Sequence, residues 1–195
     1  MFTRQPKLET YSWSQVINTT HPVVTTMKGT ISRVATCSLN DSAIKIYFYN
    51  LTTQQFTLSQ TITDSMNGKC SSLEMPPWGE RIVIGRSTGD IYTYHFDYNR
   101  FYTKEYTMLG AHSASVRFVK LTFDNSNLLS GSEDGNISLW TEANNFTSAT
   151  TQRLNAIAGE WSYYSDDYTV IDNNSNIKVF RLLASNCTYQ ASLVD

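Results

Sequence analysis

The sequence predicts an all-β protein made of four similar units. Three observations carry that expectation: a short pattern that recurs every 40 to 47 residues, turn-forming residues at one place within it, and apolar alternation after each turn. Residues 128–140 read LLSGSEDGNISLW, and the same shape returns as ATCSLNDSAIKIY at 35–47, IVIGRSTGDIYTY at 82–94 and YTVIDNNSNIKVF at 168–180. The closing aromatics Tyr47, Tyr94, Trp140 and Phe180 stand 47, 46 and 40 residues apart, and Ile44, Ile91, Ile137 and Ile177 each precede them by three.

The turn chemistry makes each pattern a hairpin. Asn40-Asp41, Thr88-Gly89, Asp134-Gly135 and Asn173-Asn174 are types that accept the positive φ of tight turns. Ile44, Ile46 and Phe48, and likewise Ile137 and Leu139, then share one face of a strand. Runs at Phe56 to Ile62, Phe101 to Met108 and Val116 to Phe123 supply further strands, so each unit holds four. No amphipathic helical stripe of ten residues with capping signals is present. The expected division is a leading outer strand or arm at 1–20, then units at 21–63, 64–110, 111–154 and 155–195.

The chain of 195 residues is long enough to bury a core without staples. Lys plus Arg number 15 against 17 Asp plus Glu, which provides no basic field for a nucleic-acid backbone. Polarity resides instead in 24 Thr, 22 Ser, 15 Asn and 7 Gln, a mix that suits strands and turns. Cys37, Cys70 and Cys187 are too few and scattered for a disulfide framework, so the expectation is free thiols in a reducing, cytoplasmic setting. The start MFTRQPKLET lacks a secretory apolar run and no segment reaches 18 apolar residues, so no membrane insertion is expected. N-x-S/T sequons, among them those at Asn18, Asn50, Asn136, Asn145, Asn173 and Asn186, are then chance products of composition.

The segment Gly110 to Thr141, GAHSASVRFVKLTFDNSNLLSGSEDGNISLWT, resembles a WD40 repeat. The resemblance implies a WD40-like β-propeller segment of about four four-stranded blades. It also implies a hydrogen-bonded tetrad within a blade, and the matching residues are His112, Ser130, Asp134 and Trp140. The other units are worn versions: the first has His21, Cys37, Asp41 and Tyr47 at or near those places, the second Ile84, Thr88 and Tyr94, the fourth Val170, Asn174 and Phe180. Residues 8–17, LETYSWSQVI, resemble the outer strand that closes such a ring, but Cys187 to Val194 compete for the same edge. Four blades are therefore expected to form an incomplete ring, or one completed by a partner.

No catalytic centre emerges. There is no GxSxG elbow, the loop before Gly68-Lys69-Cys70-Ser71 lacks the phosphate-binding glycine, and Asp166, Asp167 and Asp172 lack calcium-loop spacing. Inner-strand positions Val23, Cys70, Ser72, Val116, Arg117, Ala156 and Ala158 are mostly uncharged, which disfavours a hydrolase- or lactonase-type enzyme on a propeller frame. The expected function is a non-catalytic protein-interaction scaffold, with a coat or ciliary structural subunit as a special case, and no metal or small-molecule cofactor. The resemblance places partner contacts on the rim of b–c and d–a loops, at Asn40, Arg86, Ser87, Glu133 and Asn174. Trp78 after Pro76-Pro77, and Trp13, are expected exposed anchors. Tyr47, Tyr49, Tyr92, Tyr94 and Tyr98 are expected to pack along strands.

Overall fold

A computed structural model describes residues 16–19, 21, 24, 26–30, 32–63, 68–147, 149–162, 167–183 and 186–193, with backbone alone for 182–183 and 186–193. The strands form four antiparallel sheets, each a four-stranded meander. The first comprises β1 (Thr26–Gly29), β2 (Arg33–Cys37), β3 (Ile44–Asn50) and β4 (Gln55–Ile62). The second comprises β5 (Cys70–Glu74), β6 (Arg81–Arg86), β7 (Ile91–Phe96) and β8 (Tyr102–Met108). The third comprises β9 (Val116–Leu121), β10 (Asn127–Ser132), β11 (Asn136–Thr141) and β12 (Ala149–Arg153). The fourth comprises β13 (Ala156–Trp161), β14 (Asp167–Asp172), β15 (Ile177–Leu183) and β16 (Asn186–Leu193). A 3-10 turn at Glu142–Asn144 is the one helical element among the described residues.

Register explains the sequence period. The closing aromatic of each third strand pairs across to the second strand at one equivalent place: Tyr47 with Val34, Tyr94 with Ile82, Trp140 with Leu128 and Phe180 with Tyr168. Side chains on opposite faces of each sheet meet different neighbours. One face of the first sheet (Ala35, Cys37, Ile44, Ile46) packs with Leu73, Ile82 and Tyr94 of the second. Val83, Ile91 and Met108 pack with Val119, Leu128 and Trp140 of the third, and Phe118, Leu129 and Leu139 with Tyr168, Val170 and Phe180 of the fourth. The first strands β1, β5, β9 and β13 lie side by side along the inside of this stack. The four blades form an open arc, not a closed ring.

Several expectations are corrected. Cys37 and Cys70 form a disulfide with Cα atoms 5.9 Å apart, because β2 of one blade meets β5 of the next although 33 residues separate them in sequence. Tyr98 lies in the β7–β8 turn and is exposed rather than packed. In the fourth hairpin turn the positive φ falls on Ser175 (64°) and not on Asn173 or Asn174, and the first turn, Leu39 to Ala43, has none. Gly89 (φ 91°) and Gly135 (φ 86°) take it as expected. β16 fills the outer edge of the fourth sheet, so Cys187 to Leu193 hold the contested slot. Leu8 to Gln15, Trp13, Val23 and Asp166 lie outside the described residues.

Candidate functional site

The structure brings His112, Ser130, Asp134 and Trp140 together in the third blade. Asp134 sits in the β10–β11 turn, where its carboxylate accepts the backbone N–H groups of Asn136 (2.8 Å) and Ser113 (2.9 Å). It lies 3.2 Å from His112 Nδ1, while His112 Nε2 lies 2.8 Å from Ser130 Oγ. The indole N–H of Trp140 donates to that same Oγ at 2.9 Å. An acceptor at Nδ1 fixes the tautomer, so Nδ1–H donates to Asp134, Nε2 accepts the Ser130 hydroxyl, and the chain of donors runs in one direction. Burial holds the His112 pKa below its ordinary value despite the carboxylate. Burial raises the Asp134 pKa, but its backbone and His112 hydrogen bonds outweigh that and the net shift is downward. A neutral imidazole and an ionised carboxylate satisfy each other inside the blade, with His112 itself buried.

The worn blades keep fragments of this arrangement. His21 Nδ1 lies 2.9 Å from Asp41 Oδ2 in the first blade, although the sequence spacing is two residues short of the third blade's. Strand register corrects one expected match: Tyr47 pairs with Val34 as Trp140 pairs with Leu128, so Thr36, not Cys37, holds the place of Ser130; its hydroxyl donates to the Lys45 carbonyl at 3.5 Å, Cys37 forms the disulfide, and the Tyr47 hydroxyl donates to the Thr19 carbonyl at 3.2 Å. In the second blade Thr88 donates to Asp90 at 3.0 Å. In the fourth, Asp172 accepts from the backbone of Asn174 and Asn176 and pairs with Lys178 at 2.9 Å. Those bonds, led by Lys178, hold its carboxyl far below the usual range.

The rim residues divide between the two rims of the arc. Asn40, Ser87, Glu133 and Asn174 occupy the four equivalent turns between second and third strands, all exposed. Arg86, assigned to that rim from sequence, is fully buried; its Nη1 donates to the Ser42 carbonyl at 3.1 Å, so it ties two blades together and presents no side chain to a partner. Trp78 lies at the opposite rim, because its turn joins first to second strand. There it is 63% exposed and meets Phe123 edge-on, with centroids 6.0 Å apart. The Trp78 turn is firmly held: Gly79 N–H donates to Pro76 O at 2.8 Å, and the Gly79 carbonyl accepts from Arg33 and from Tyr102, each at 2.5 Å. Exposed Leu51, Tyr98 and Phe101 lie in other turns of this rim.

Behind Trp78 opens a cavity of about 630 Å³ shared by all four blades, with Met75, Pro76, Pro77, Phe123 and Trp161 in its apolar wall. The sequence reading missed a row of charges on the inner strands, of which Lys28, Glu74 and Glu160 line this cavity. Lys28 of β1, Glu74 of β5, Lys120 of β9 and Glu160 of β13 hold one equivalent register, each opposite the second-strand residue whose third-strand partner precedes the closing aromatic. Glu74 takes Lys28 at 3.1 Å and Lys120 at 3.2 Å on one oxygen, and Lys120 also reaches Glu160 at 2.5 Å. Burial alone would lower the Lys120 pKa, yet Glu160 and Glu74 more than offset this and raise it. The four positions are spaced 46, 46 and 40 residues apart, within one residue of the period of the aromatics, so extending the repeat back by two strands would have found them. Among the described residues no group of three His, Cys, Asp or Glu could hold a metal ion, and no helix is long and apolar enough to cross a membrane.

Comparison with known proteins agrees with this geometry. Residues 103–141 match the family described as WD domain, G-beta repeat. That span starts on β8, the outer strand of the second blade, and ends on β11 of the third. No curated protein matches the chain. It is similar in fold to the C-terminal WD40 domain of Sif2, with a TM-score of 0.66 and 16% identity over 84% of this chain and 46% of that one. It is also similar to a chain of a mitotic checkpoint complex, at 0.70 and 16% over 87% of this chain and 53% of that one. The chain thus spans about half the length of the structures it superposes on. It carries a WD40 repeat at residues 103–141 and has the fold of an open WD40-type β-propeller.

Proposed function

We propose that the chain is a non-catalytic protein-interaction scaffold whose principal docking surface is the rim around Trp78. The observation that carries this is an exposed Trp78 braced against Phe123, on a turn pinned by Arg33 and Tyr102, beside a cavity that has Pro76, Pro77 and Phe123 in its wall. Aromatic anchors held rigid before binding lose little entropy on contact and dominate interface energetics. The repeat and the fold support the scaffold reading, since propellers of this family present loops on a rigid frame. The exposed turns bearing Asn40, Ser87, Glu133 and Asn174 form a second, polar surface on the other rim. The near-neutral charge favours protein partners over nucleic acid. The cytoplasmic placement expected from sequence is weighed against by the Cys37–Cys70 pair, since disulfides persist in oxidising compartments.

The test is affinity capture with the purified chain as bait, comparing wild type with Trp78→Ala/Phe123→Ala and with Asn40→Ala/Glu133→Ala. Loss of a saturable protein partner in the first variant alone supports the reading. Retention of every partner by both variants, at unchanged melting temperature, contradicts it.

A further inference from the structure

The rim that carries Trp78 turns its cations inward and leaves carboxylates outside. Arg33 lies over the Phe96 ring at 3.7 Å and donates to the Gly79 carbonyl, and Arg81 is buried between Glu105 and Glu142. In the described turns of this rim, which join first to second and third to fourth strands, Glu80, Asp97, Asp124 and Glu142 stand against Arg100 alone. Glu80 and Asp124 are exposed, and neither is paired with a cation among the described residues. Burial alone would raise the Asp124 pKa, but hydrogen bonds from Thr122 and Ser126 hold it below the ordinary value, so this carboxylate is ionised.

These two carboxylates belong to the turns that hold the aromatic pair. Glu80 follows Trp78 by two residues, and Asp124 follows Phe123 directly. The bond from Arg81 to the Asn125 carbonyl at 3.0 Å draws the two turns together. The Trp78 and Phe123 rings meet at 65°, which makes an open corner and not a closed stack. Ring faces carry negative quadrupole charge and attract a cation. Rings and carboxylates therefore select the same sign of charge.

We propose that the Trp78 rim takes a basic linear segment of a partner protein: an arginine or lysine side chain lies on the corner of Trp78 and Phe123, with Glu80 and Asp124 as counter-charges, and a neighbouring apolar residue enters the cavity walled by Pro76, Pro77 and Phe123. Charge complementarity favours this occupant over an acidic or neutral surface. A free small cation would bury little against a tryptophan that is 63% exposed, whereas a peptide adds the apolar wall of the cavity. This inference rests on the reading of the Trp78 rim as the docking surface and adds the chemistry of what docks there.

Selection of a random peptide display library on the immobilised chain tests it. Enriched peptides should carry arginine or lysine beside an apolar residue, and their binding, followed by fluorescence polarisation of the labelled peptide, should weaken as salt rises. Trp78→Ala should weaken it by about thirtyfold or more, as at an interface hot spot. Glu80→Gln/Asp124→Asn should weaken it by about two- to thirtyfold, the range for two exposed charge pairs, and flatten the salt dependence. Asp124 also holds its own turn through Ser126, so Glu80→Lys serves as a variant that removes no side-chain bond among the described residues; it should weaken binding at an unchanged melting temperature. Enriched peptides that need Trp78 but are acidic or neutral, or whose binding ignores both carboxylate variants, would overturn this inference and leave the docking surface standing. Peptides that bind equally well to Trp78→Ala, or an unenriched library, would remove both.

Discussion

Cys37, the last residue of β2, is bonded to Cys70, the first residue of β5, and both are fully buried where the first blade meets the second. The bond joins two sheets that also hold together through side-chain packing around Ile44, Ile82 and Tyr94, the Lys28–Glu74 ion pair, and hydrogen bonds from Arg33 to Gly79 and from Arg86 to Ser42. Closing a loop between residues 33 apart removes chain entropy from the unfolded state worth about 3–4 kcal/mol. A reductant such as dithiothreitol, or Cys37→Ser, should therefore lower the melting temperature of the first two blades. Mass spectrometry of the unreduced protein should show the Cys37–Cys70 peptide pair. An unreduced protein with three alkylatable thiols would refute the bond.

Arg81 performs the corresponding task between the second blade and the third. Its guanidinium is buried, forms a two-bond fork with Glu105 at 2.8 Å each, donates to Glu142 at 2.5 Å, and reaches the Asn125 carbonyl at 3.0 Å. Burial lowers its pKa, but the two carboxylates raise it further, so it stays charged. Arg81→Ala strands Glu105 beside a buried gap. Breaking a buried pair costs about 3–5 kcal/mol, and the exposure of Glu142 reduces the figure here to about 2–3 kcal/mol. Arg81→Lys should recover little, because an ammonium cannot make the fork. Urea unfolding midpoints of the three proteins measure both effects.

The period of the aromatics made the fold legible because each blade repeats one hairpin with one register, so Tyr47, Tyr94, Trp140 and Phe180 recur in sequence as they recur in space. The tetrad was legible for the same reason, with all four residues within one unit. What escaped belongs to contacts between units. Cys37 and Cys70 are neighbours only because blades stack, and nothing in their spacing shows it. Lys28, Glu74, Lys120 and Glu160 look like isolated surface charges until the first strands are set side by side. Arg86 had the right place in the repeat for an exposed turn, but as the last residue of β6 it points inward to Ser42 and over the ring of Tyr92. Trp78 was correctly expected to be exposed; its rim depends on which pair of strands its turn joins.

The tetrad of the third blade should be structural, and pH separates that role from a catalytic one. His112 has a folded pKa below its unfolded value of about 6.5. Above that value both states are neutral and the contribution is complete. As pH falls below it, the unfolded chain takes up a proton that the folded chain resists, so stability declines until the folded pKa is passed. Protonation also removes the acceptor at Nε2 that receives the Ser130 hydroxyl. His112→Gln should abolish this slope below about pH 6.5. Asp134 has the same sign at lower pH, its contribution being lost as pH falls through the carboxylate range. At neutral pH, Ser130→Ala orphans both the buried indole N–H and the imidazole and should cost about 1–3 kcal/mol. Trp140→Ala opens a cavity among Val119, Leu128 and Phe146 and should cost about 3–5 kcal/mol. Thermal melts across pH 5–8 supply the whole set. A His112→Gln protein with the wild-type pH slope would show that the imidazole is not held neutral in the blade, and the directional relay from Trp140 to Asp134 would have to be abandoned.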